Sequence, residues 1–482
     1  MIIQSDWQVS FDFSAAKPII VEPMEAHFSS DAGLLPIRQF DERLGHSAQF
    51  AAALNDPRYQ PFVDHTLLEM VRMRLYGILA DYADQNDHDG LRKDPVFKLV
   101  AGRSPEDKDL ASQPTLSRFE NSIDIASLGR LRDVLIDQFI ASFDEPPRRL
   151  TFDIDVFDDP THGQQQLTFF HGYYDQYQYL PRVLSCAEND LLVMVVLLFG
   201  TAHPALGADD DLAYLIGRLR VPWPDVEILI RGDSGFGVPS MFEVCERLGL
   251  SYTFGERINR VLKRRSEAVL AAAVEQYAQT GQPQRLFTAF EYQAGSWPAP
   301  RWTIVKAEAH AQGTNRRVVV TNRPGARVLP GAAYDAYTDR GESENRNKEL
   351  KGGLKADRLS DHRYLANYFR LYLHTAACNL LVRLRRAAAL PPVEEPQSEV
   401  PAEALAGQAR RSFYNRRRER DPLGEGHPCT WQTRLIKVAA QIVVSSRRIL
   451  VRLSGFWPYL QDYRQIAELV LRYPTKVAPD SG

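Results

Sequence analysis

Three acidic positions stand where a chain could gather oxygen ligands. The run LTFDIDVF alternates strictly, with Leu150, Phe152, Ile154 and Val156 on one side and Thr151, Asp153, Asp155 and Phe157 on the other. Asp153 and Asp155 therefore share a face, and Asp158 and Asp159 follow at the strand end. Carboxylates in that place suit a hard divalent cation, because Mg²⁺ takes oxygen ligands and usually only one or two of them are protein carboxylates. A solvated strand end with turn-forming Asp has the same composition. Asp233, in RGDSGF, follows the apolar run Val226 to Ile230 and precedes a Gly-containing turn. A lone Asp there is most often a turn former. Its interest is as a second acidic strand end for one sheet. The third segment is YTDRGESENRNKELKGGLK. Arg340, Glu344, Lys348, Lys351 and Lys355 are spaced 4, 4, 3 and 4, which places them on one helical face, with Tyr337 just upstream. A charge-paired solvated helix has this spacing too. A basic face around a single acid could instead lay a carboxylate against a phosphate backbone.

Asp, Asp and Glu on strand, strand and helix follow the logic of two-metal phosphoryl transfer. One ion activates the attacking hydroxyl and the other stabilises the leaving oxygen, at roughly 3.5 to 4 Å separation. The substrate would be a nucleic-acid phosphodiester. Other chemistry-bearing residues carry less. His88 lies among Asp84, Asp87 and Asp89 and reads as part of a solvated, turn-rich loop. His162 and His171 read as structural or substrate-adjacent. GDSG has no partners for a serine triad.

The elements that must position these residues follow from periodicity. Residues 1–145 read as mainly helical. Thr66 to Ala83 has helical apolar spacing, Ser112 to Asn121 opens on Pro114, and Leu128 to Phe143 has Ser127 placed as its cap. The pattern changes at Leu150. Alternating and continuous apolar runs, including Leu191 to Phe199 and Val226 to Ile230, then interleave with helices at Asp209 to Leu219 and Val238 to Leu248. That is an α/β pattern, a mixed sheet flanked by helices, over 146–255. Residues 256–330 hold one helix and three strand-like runs, read as a β-rich insertion that should form a subdomain between the strand after Asp233 and the Glu344 helix. Residues 331–389 return to helix, over Gly341 to Lys355 and Arg363 to Arg386. Residues 390–408, rich in Pro, Glu and Ala, read as a linker. Residues 409–482 form a basic C-terminal region. From Pro401 to Leu460 there are eleven Lys/Arg against four Asp/Glu.

Composition closes off other classes. Charged residues are 25% and apolar residues 44%, which excludes a mainly disordered chain. The net charge of −3 excludes a uniformly basic blanket, so any nucleic-acid contact depends on where the charge sits. Cys186, Cys245, Cys378 and Cys429 are scattered singly, against a disulfide scaffold or thiolate zinc site. No basic n-region precedes an apolar run, and the longest apolar stretch, about ten residues, is half of what a membrane helix needs. A soluble, cytoplasmic protein with no membrane partner is expected.

The residues around Glu344 make a specific resemblance. Tyr337, Arg340, Glu344 and Lys351 match the Tyr-x2-Arg-x3-Glu-x6-Lys signature of DDE transposases of bacterial insertion sequences, in the insertion sequence 4-like superfamily. DIDVFDDPTHG, FFHGYYDQYQYLP, NDHDGLRKDP and SQPTLSRFEN resemble its insertion sequence 1380 family. The likeness spans about residues 60 to 475. It implies an RNase H-like catalytic core with Asp155 on the first strand, Asp233 on the fourth, and Glu344 on the helix after a β-rich insertion. The 111 positions between Asp233 and Glu344 leave room for one. The family's usual Asp-x-Thr pattern is replaced by Asp155, Val156 and Phe157. Asp155, nearer the strand end, is favoured as the first ligand, with Asp153 second.

The resemblance further implies two Mg²⁺ or Mn²⁺ ions, cleavage at terminal inverted repeats, and joining of 3′-hydroxyl ends to target DNA. It implies a homodimer in the synaptic complex, in a bacterial cytoplasm at the nucleoid. Tyr337, Arg340 and Lys351 would contact the DNA end, beside Lys348 and Lys355. Trp297 and Trp302 are either core residues of a small β domain or, as in relatives that form hairpins, a platform for an extruded base. Two rival functions share these residues: an RNase H-like nuclease or resolvase without strand transfer, and a domesticated, non-catalytic DNA-binding protein. The helical N-terminal region and the basic C-terminal region are expected to carry end binding.

Arg416, Arg417, Arg418 and Arg420 are the densest basic cluster. Replacing them with Ala should weaken DNA binding and flatten its salt dependence, by about one unit of slope per lost phosphate contact. A titration of binding against salt concentration measures this. An unchanged slope would place the cluster away from DNA.

Overall fold

The computed structural model describes residues 7–11, 17, 19–172, 174–391 and 407–476. Most of the expected linker, 392–406, lies outside the described residues. Five strands form the middle of a ten-stranded mixed sheet: β1 (Arg149–Val156), β2 (Gln176–Cys186), β3 (Leu192–Phe199), β4 (Glu227–Gly232) and β5 (Ser251–Glu256). Their hydrogen-bonded order is β3-β2-β1-β4-β5. β2 runs antiparallel to β1 and β3, while β1, β4 and β5 are parallel. Central parallel strands are covered on both faces, which is why β4 reads as the continuous apolar run ILI and why Phe152 and Ile230 are fully buried.

The insertion departs from expectation. It is β-rich, with β6 (Gln284–Tyr292), β7 (Arg301–His310) and β8 (Gly313–Thr321), but it is not a separate subdomain. β8 pairs antiparallel with β5, from Thr253 opposite Thr321 to Glu256 opposite Val318, so the meander extends the main sheet. The physical reason is the edge of β5. Left alone, it would expose a row of unpaired backbone groups, and Val318, Val319 and Val320 cover it. Two helices precede the meander, not one, at Arg260–Arg265 and Glu267–Thr280.

The N-terminal region includes helices α1 (Leu67–Leu79), α2 (Gln113–Asn121) and α3 (Ile125–Ile140). Thr66 caps α1 by accepting from the Glu69 N–H. The cap of α3 is Asp124, not Ser127, whose N–H is the donor to Asp124. α4 (Ala208–Leu219) and α5 (Pro239–Arg247) follow β3 and β4. After β8 come α6 (Pro330–Thr338), α7 (Gly341–Lys348) and α8 (Tyr364–Ala388). α8 packs against both α1 and β3 and joins the helical region to the sheet. A buried charge relay reinforces that joint. Glu120, fully buried, accepts from Arg74 of α1 at 2.7 Å and from Arg370 of α8 at 2.5 Å. His88 is also fully buried, against Gly77, and so is not part of a solvated loop. Burial first, and then the Arg74 charge, hold its imidazole well below the usual value.

The basic C-terminal region is not a free-standing module. Ala440–Val444 pairs with Ile449–Leu453 on one side and with His27–Ser29 on the other. Helix Leu460–Arg472 packs on helix Leu34–Leu44. A Cβ on Gly33 would lie 1.8 Å from the Leu435 carbonyl oxygen, so only glycine lets these two segments cross. Arg416, Arg418 and Arg420 are exposed on helix Gly407–Arg420, and Arg417 pairs with Glu425. No described helix is long and apolar enough to cross a membrane.

The expected helix from Gly341 to Lys355 is interrupted. α7 ends at Lys348, Glu349–Gly353 is a π-helical turn, and Lys355 has a left-handed φ of 59°. Two features account for this. Gly352 and Gly353 are poor helix formers, and a Cβ on Gly353 would press to 2.9 Å from Pro428. Glu349 is also pinned: it binds Arg385 of α8 at 2.9 Å, His427 at 2.8 Å and Arg346 at 3.3 Å. Lys355 therefore leaves the shared face and pairs with Asp81 at 2.6 Å.

Glu349→Ala should cost about 3 to 5 kcal/mol, because the buried Arg385 loses its counter-charge. Chemical denaturation measures the loss. Burial opposes ionisation of Glu349, but His427, Arg385 and Arg346 hold it down at about 2. A depressed carboxylate stabilises above its unfolded value of 4.5 and loses that contribution as pH falls towards 2. The gap between wild type and Glu349→Gln should accordingly narrow over that window.

Candidate active site

Sheet register brings the first two acids together. Ile154 of β1 lies opposite Gly232 of β4, and both strands run the same way. Asp155 and Asp233 are the next residues on each. Glu344 comes from α7, whose first residue follows Arg340. The Arg340 guanidinium joins the elements: one amino group lies 3.3 Å from Asp155 Oδ2 and the other 3.1 Å from Glu344 Oε1. Asn347, one turn beyond Glu344, donates to Asp155 Oδ2 at 3.1 Å. Asp233 Oδ1 accepts the Gly235 N–H at 2.8 Å, which shapes the turn after β4.

Asp155 is the electrostatic centre. Burial raises its pKa to about 6; the Asp233 and Glu344 charges add to the rise, and Arg340 opposes it. Asp153 is placed differently. Both its oxygens are taken by Arg231, at 2.7 and 2.8 Å, and both side chains are almost fully buried. Burial raises Asp153 as well, against the pull of Arg231. Alternation puts the two aspartates on one face, but Asp155 is the one beside Arg340 and Asn347.

Asp233, Glu344, Arg340 and Tyr337 line a cleft of about 750 Å³. Glu256, the last residue of β5, also lines it, and burial pushes its carboxyl up to about 7. Lys306 of β7 and Arg316 and Arg317 of β8 form one wall of the same cleft, with Lys306 paired to Glu308 at 2.7 Å and Arg316 to Glu267 at 3.2 Å. Glu256, Asn347 and this wall escaped the sequence reading. The wall depends on a strand pairing that local periodicity does not encode. Asn347 had a signal, three positions after Glu344.

The remaining basic residues divide. Lys351 binds Asp158 at 2.5 Å; burial resists ionisation of Asp158, and Lys351 outweighs it and holds the carboxyl low. Lys348 is exposed, and no ion pair involves it among the described residues. Trp297 is 5% exposed, with ring contacts to Phe242 at 5.2 Å and Tyr292 at 5.4 Å, so it presents no face to a base. Trp302 donates its indole N–H to Ala326 O at 3.1 Å, with Arg327 over its ring.

The donors are all hard oxygens, and their mutual repulsion at Asp155 is what a bound cation would relieve. Among the described residues, no three His, Cys, Asp or Glu side chains are gathered closely enough to hold an ion. The Arg340 guanidinium lies between Asp155 and Glu344.

A family model described as transposase DDE domain group 1 matches residues 12–399. The chain belongs to this family. The match takes in every strand of the central sheet and all of α1 to α8, and it stops short of the basic C-terminal region. The transposase domain thus contains Asp155, Asp233 and Glu344 together with the cleft that Asp233 and Glu344 line. No curated protein in the comparison matches the chain.

Close packing in this transposase domain gives a test. A Cβ on Gly255 would lie 2.9 Å from the Ser234 backbone N and 3.0 Å from the Tyr337 hydroxyl. Gly255→Ala should cost about 1 to 3 kcal/mol through overpacking, and it should move the Asp233 turn or Tyr337. Denaturant unfolding measures the cost. Wild-type stability would show that the approach is not tight.

Proposed function

We propose that this protein cuts the ends of its own mobile element and joins the resulting 3′-hydroxyl ends to target DNA by two-metal phosphoryl transfer. The reading rests on one observation: Arg340 bridges Asp155 at a strand end and Glu344 on a helix, while Asp233, at the adjacent parallel strand end, lines with Glu344 a cleft that Lys306, Arg316 and Arg317 also line. The strand order β3-β2-β1-β4-β5 with β2 reversed supports an RNase H-like core. The Tyr337, Arg340, Glu344 and Lys351 signature supports kinship with the insertion sequence 4-like superfamily, and the segments DIDVFDDPTHG, FFHGYYDQYQYLP, NDHDGLRKDP and SQPTLSRFEN support kinship with its insertion sequence 1380 family.

Asp155, Asp233 and Glu344 would hold two Mg²⁺ or Mn²⁺ ions, which supply charge neutralisation at the phosphate and activation of the attacking hydroxyl. The chain's own residues do the rest. Arg340 is freed from Asp155 and Glu344 and turns to a phosphate. Lys348, Lys351 and Tyr337 hold the strand beside Glu344. Lys306, Arg316 and Arg317 line the backbone path, so positioning supplies much of the rate. Exposed arginines at 416, 418 and 420 add sequence-independent affinity for DNA. Cleavage at two ends in one complex calls for a homodimer on DNA, in the bacterial cytoplasm.

The test uses DNA carrying the terminal repeats that flank the gene. Asp233→Ala and Glu344→Ala should each abolish cleavage and joining while retaining end binding. Lys351→Ala should cut cleavage at least about tenfold, a loss of only about 1.4 kcal/mol, with thermal stability nearly unchanged. Cleavage that survives Asp233→Ala or Glu344→Ala would overturn the assignment. Cleavage without joining by the wild type would leave a nuclease.

A further inference from the structure

A second cavity lies at the other end of the sheet. Its walls include Arg149 and Glu227, the first residues of β1 and β4, and Ser251, the first of β5. Asp155 and Asp233 lie at the opposite ends of these strands, about six residues or roughly 20 Å away. The cavity holds about 330 Å³, a size that suits a small ligand or one nucleotide unit.

Its charge is unbalanced. Arg323, just past the end of β8, is half-buried and lines the cavity. Its Nη1 is buried with no hydrogen-bond partner, and no ion pair involves Arg323 among the described residues. Burial, and then the charges of Arg149 and Arg231, press its guanidinium below the ordinary value. Arg231 is neutralised by Asp153. Arg149 has only a loose contact with Glu227 at 3.8 Å, both side chains being mostly exposed. The first turn of α6 also lines the cavity, through Ala332 and Ala333, and its amino end has no side-chain cap. An unpaired, half-buried guanidinium beside a second one, Arg149, is costly unless an anion completes it. A helix amino end adds to the same field.

We propose that this cavity is a binding site for a phosphate group, held by Arg323, Arg149 and the amino end of α6, and separate from the cleft of Asp233 and Glu344. Arg323 supplies the inner donor and Arg149 the outer one. Glu227 also lines the cavity, 3.8 Å from Arg149, and disfavours anions that Arg149 does not hold. The phosphate comes either from a DNA backbone or from a free phosphate or nucleotide. The site does not depend on the chemistry proposed for the cleft, because none of its residues belongs to that cleft.

The experiment uses the full chain, as wild type, Arg323→Gln, Arg149→Gln and Asp233→Ala. Thermal unfolding is followed with inorganic phosphate, with a nucleoside triphosphate and with a short DNA duplex, at ionic strength matched with NaCl. Wild type and Asp233→Ala should show a saturable rise in Tm. Arg323→Gln should lose it or need at least tenfold more ligand, while its own Tm stays equal to or above the wild type's. Arg149→Gln, at an exposed position, should weaken the response in the same direction. A response to phosphate or nucleotide alone identifies a free ligand. A response to duplex only, with the salt slope of binding lowered by about one in Arg323→Gln, identifies a backbone phosphate. No saturable response in any arm, or responses unchanged in both arginine variants, would overturn the proposal.

Discussion

The candidate active site depends on one counter-charge. Asp155 is buried, and Asp233 and Glu344 face it with the same sign. Carboxylates so placed repel one another and favour the protonated form. Arg340 lets them share a site, because its planar guanidinium reaches Asp155 with one amino group and Glu344 with the other. It stands at the junction between α6 and α7, immediately before the first residue of the Glu344 helix. The far end of that helix is set by Glu349 and its three basic partners. Between those two ion clusters there are only two turns of helix, which leaves Glu344 little freedom of direction.

Much of the site was legible because its signals are local. Period-two alternation showed β1 and the shared face of Asp153 and Asp155. An apolar run followed by a glycine turn showed β4 and Asp233. Spacing and the four-residue signature singled out Glu344. What stayed hidden depends on residues far apart in the chain. Arg231 neutralises Asp153 from 78 positions away, and no periodicity shows which strand will be its neighbour. The pairing of β8 with β5 turned an expected subdomain into an extension of the sheet, and with it placed Arg316 and Arg317 on the cleft. The π-helical turn at Glu349–Gly353 broke a face that would have been continuous in a regular helix. His88 misled in the other direction, since its acidic sequence neighbours say nothing of its burial against Gly77.

The net charge of −3 conceals a divided surface. Acidic groups collect at the parallel strand ends, and basic groups stand on β7, β8 and the helix Gly407–Arg420. Such an arrangement attracts a polyanion without requiring the whole molecule to be cationic.

The pairing of His27–Ser29 with Ala440–Val444 has a consequence for how the molecule is made. Ser29 leaves the ribosome about 400 residues before Ala440, its partner. At roughly 5 to 20 residues per second, that strand waits about 20 to 80 s with its edge open. The small three-stranded sheet is thus a clasp that closes only when synthesis is nearly finished. A nascent chain stopped by a nonsense codon before residue 440 would release a transposase domain whose His27–Ser29 strand has nothing to pair with. Proteolysis would find that product at its amino-terminal end, far from the missing segment.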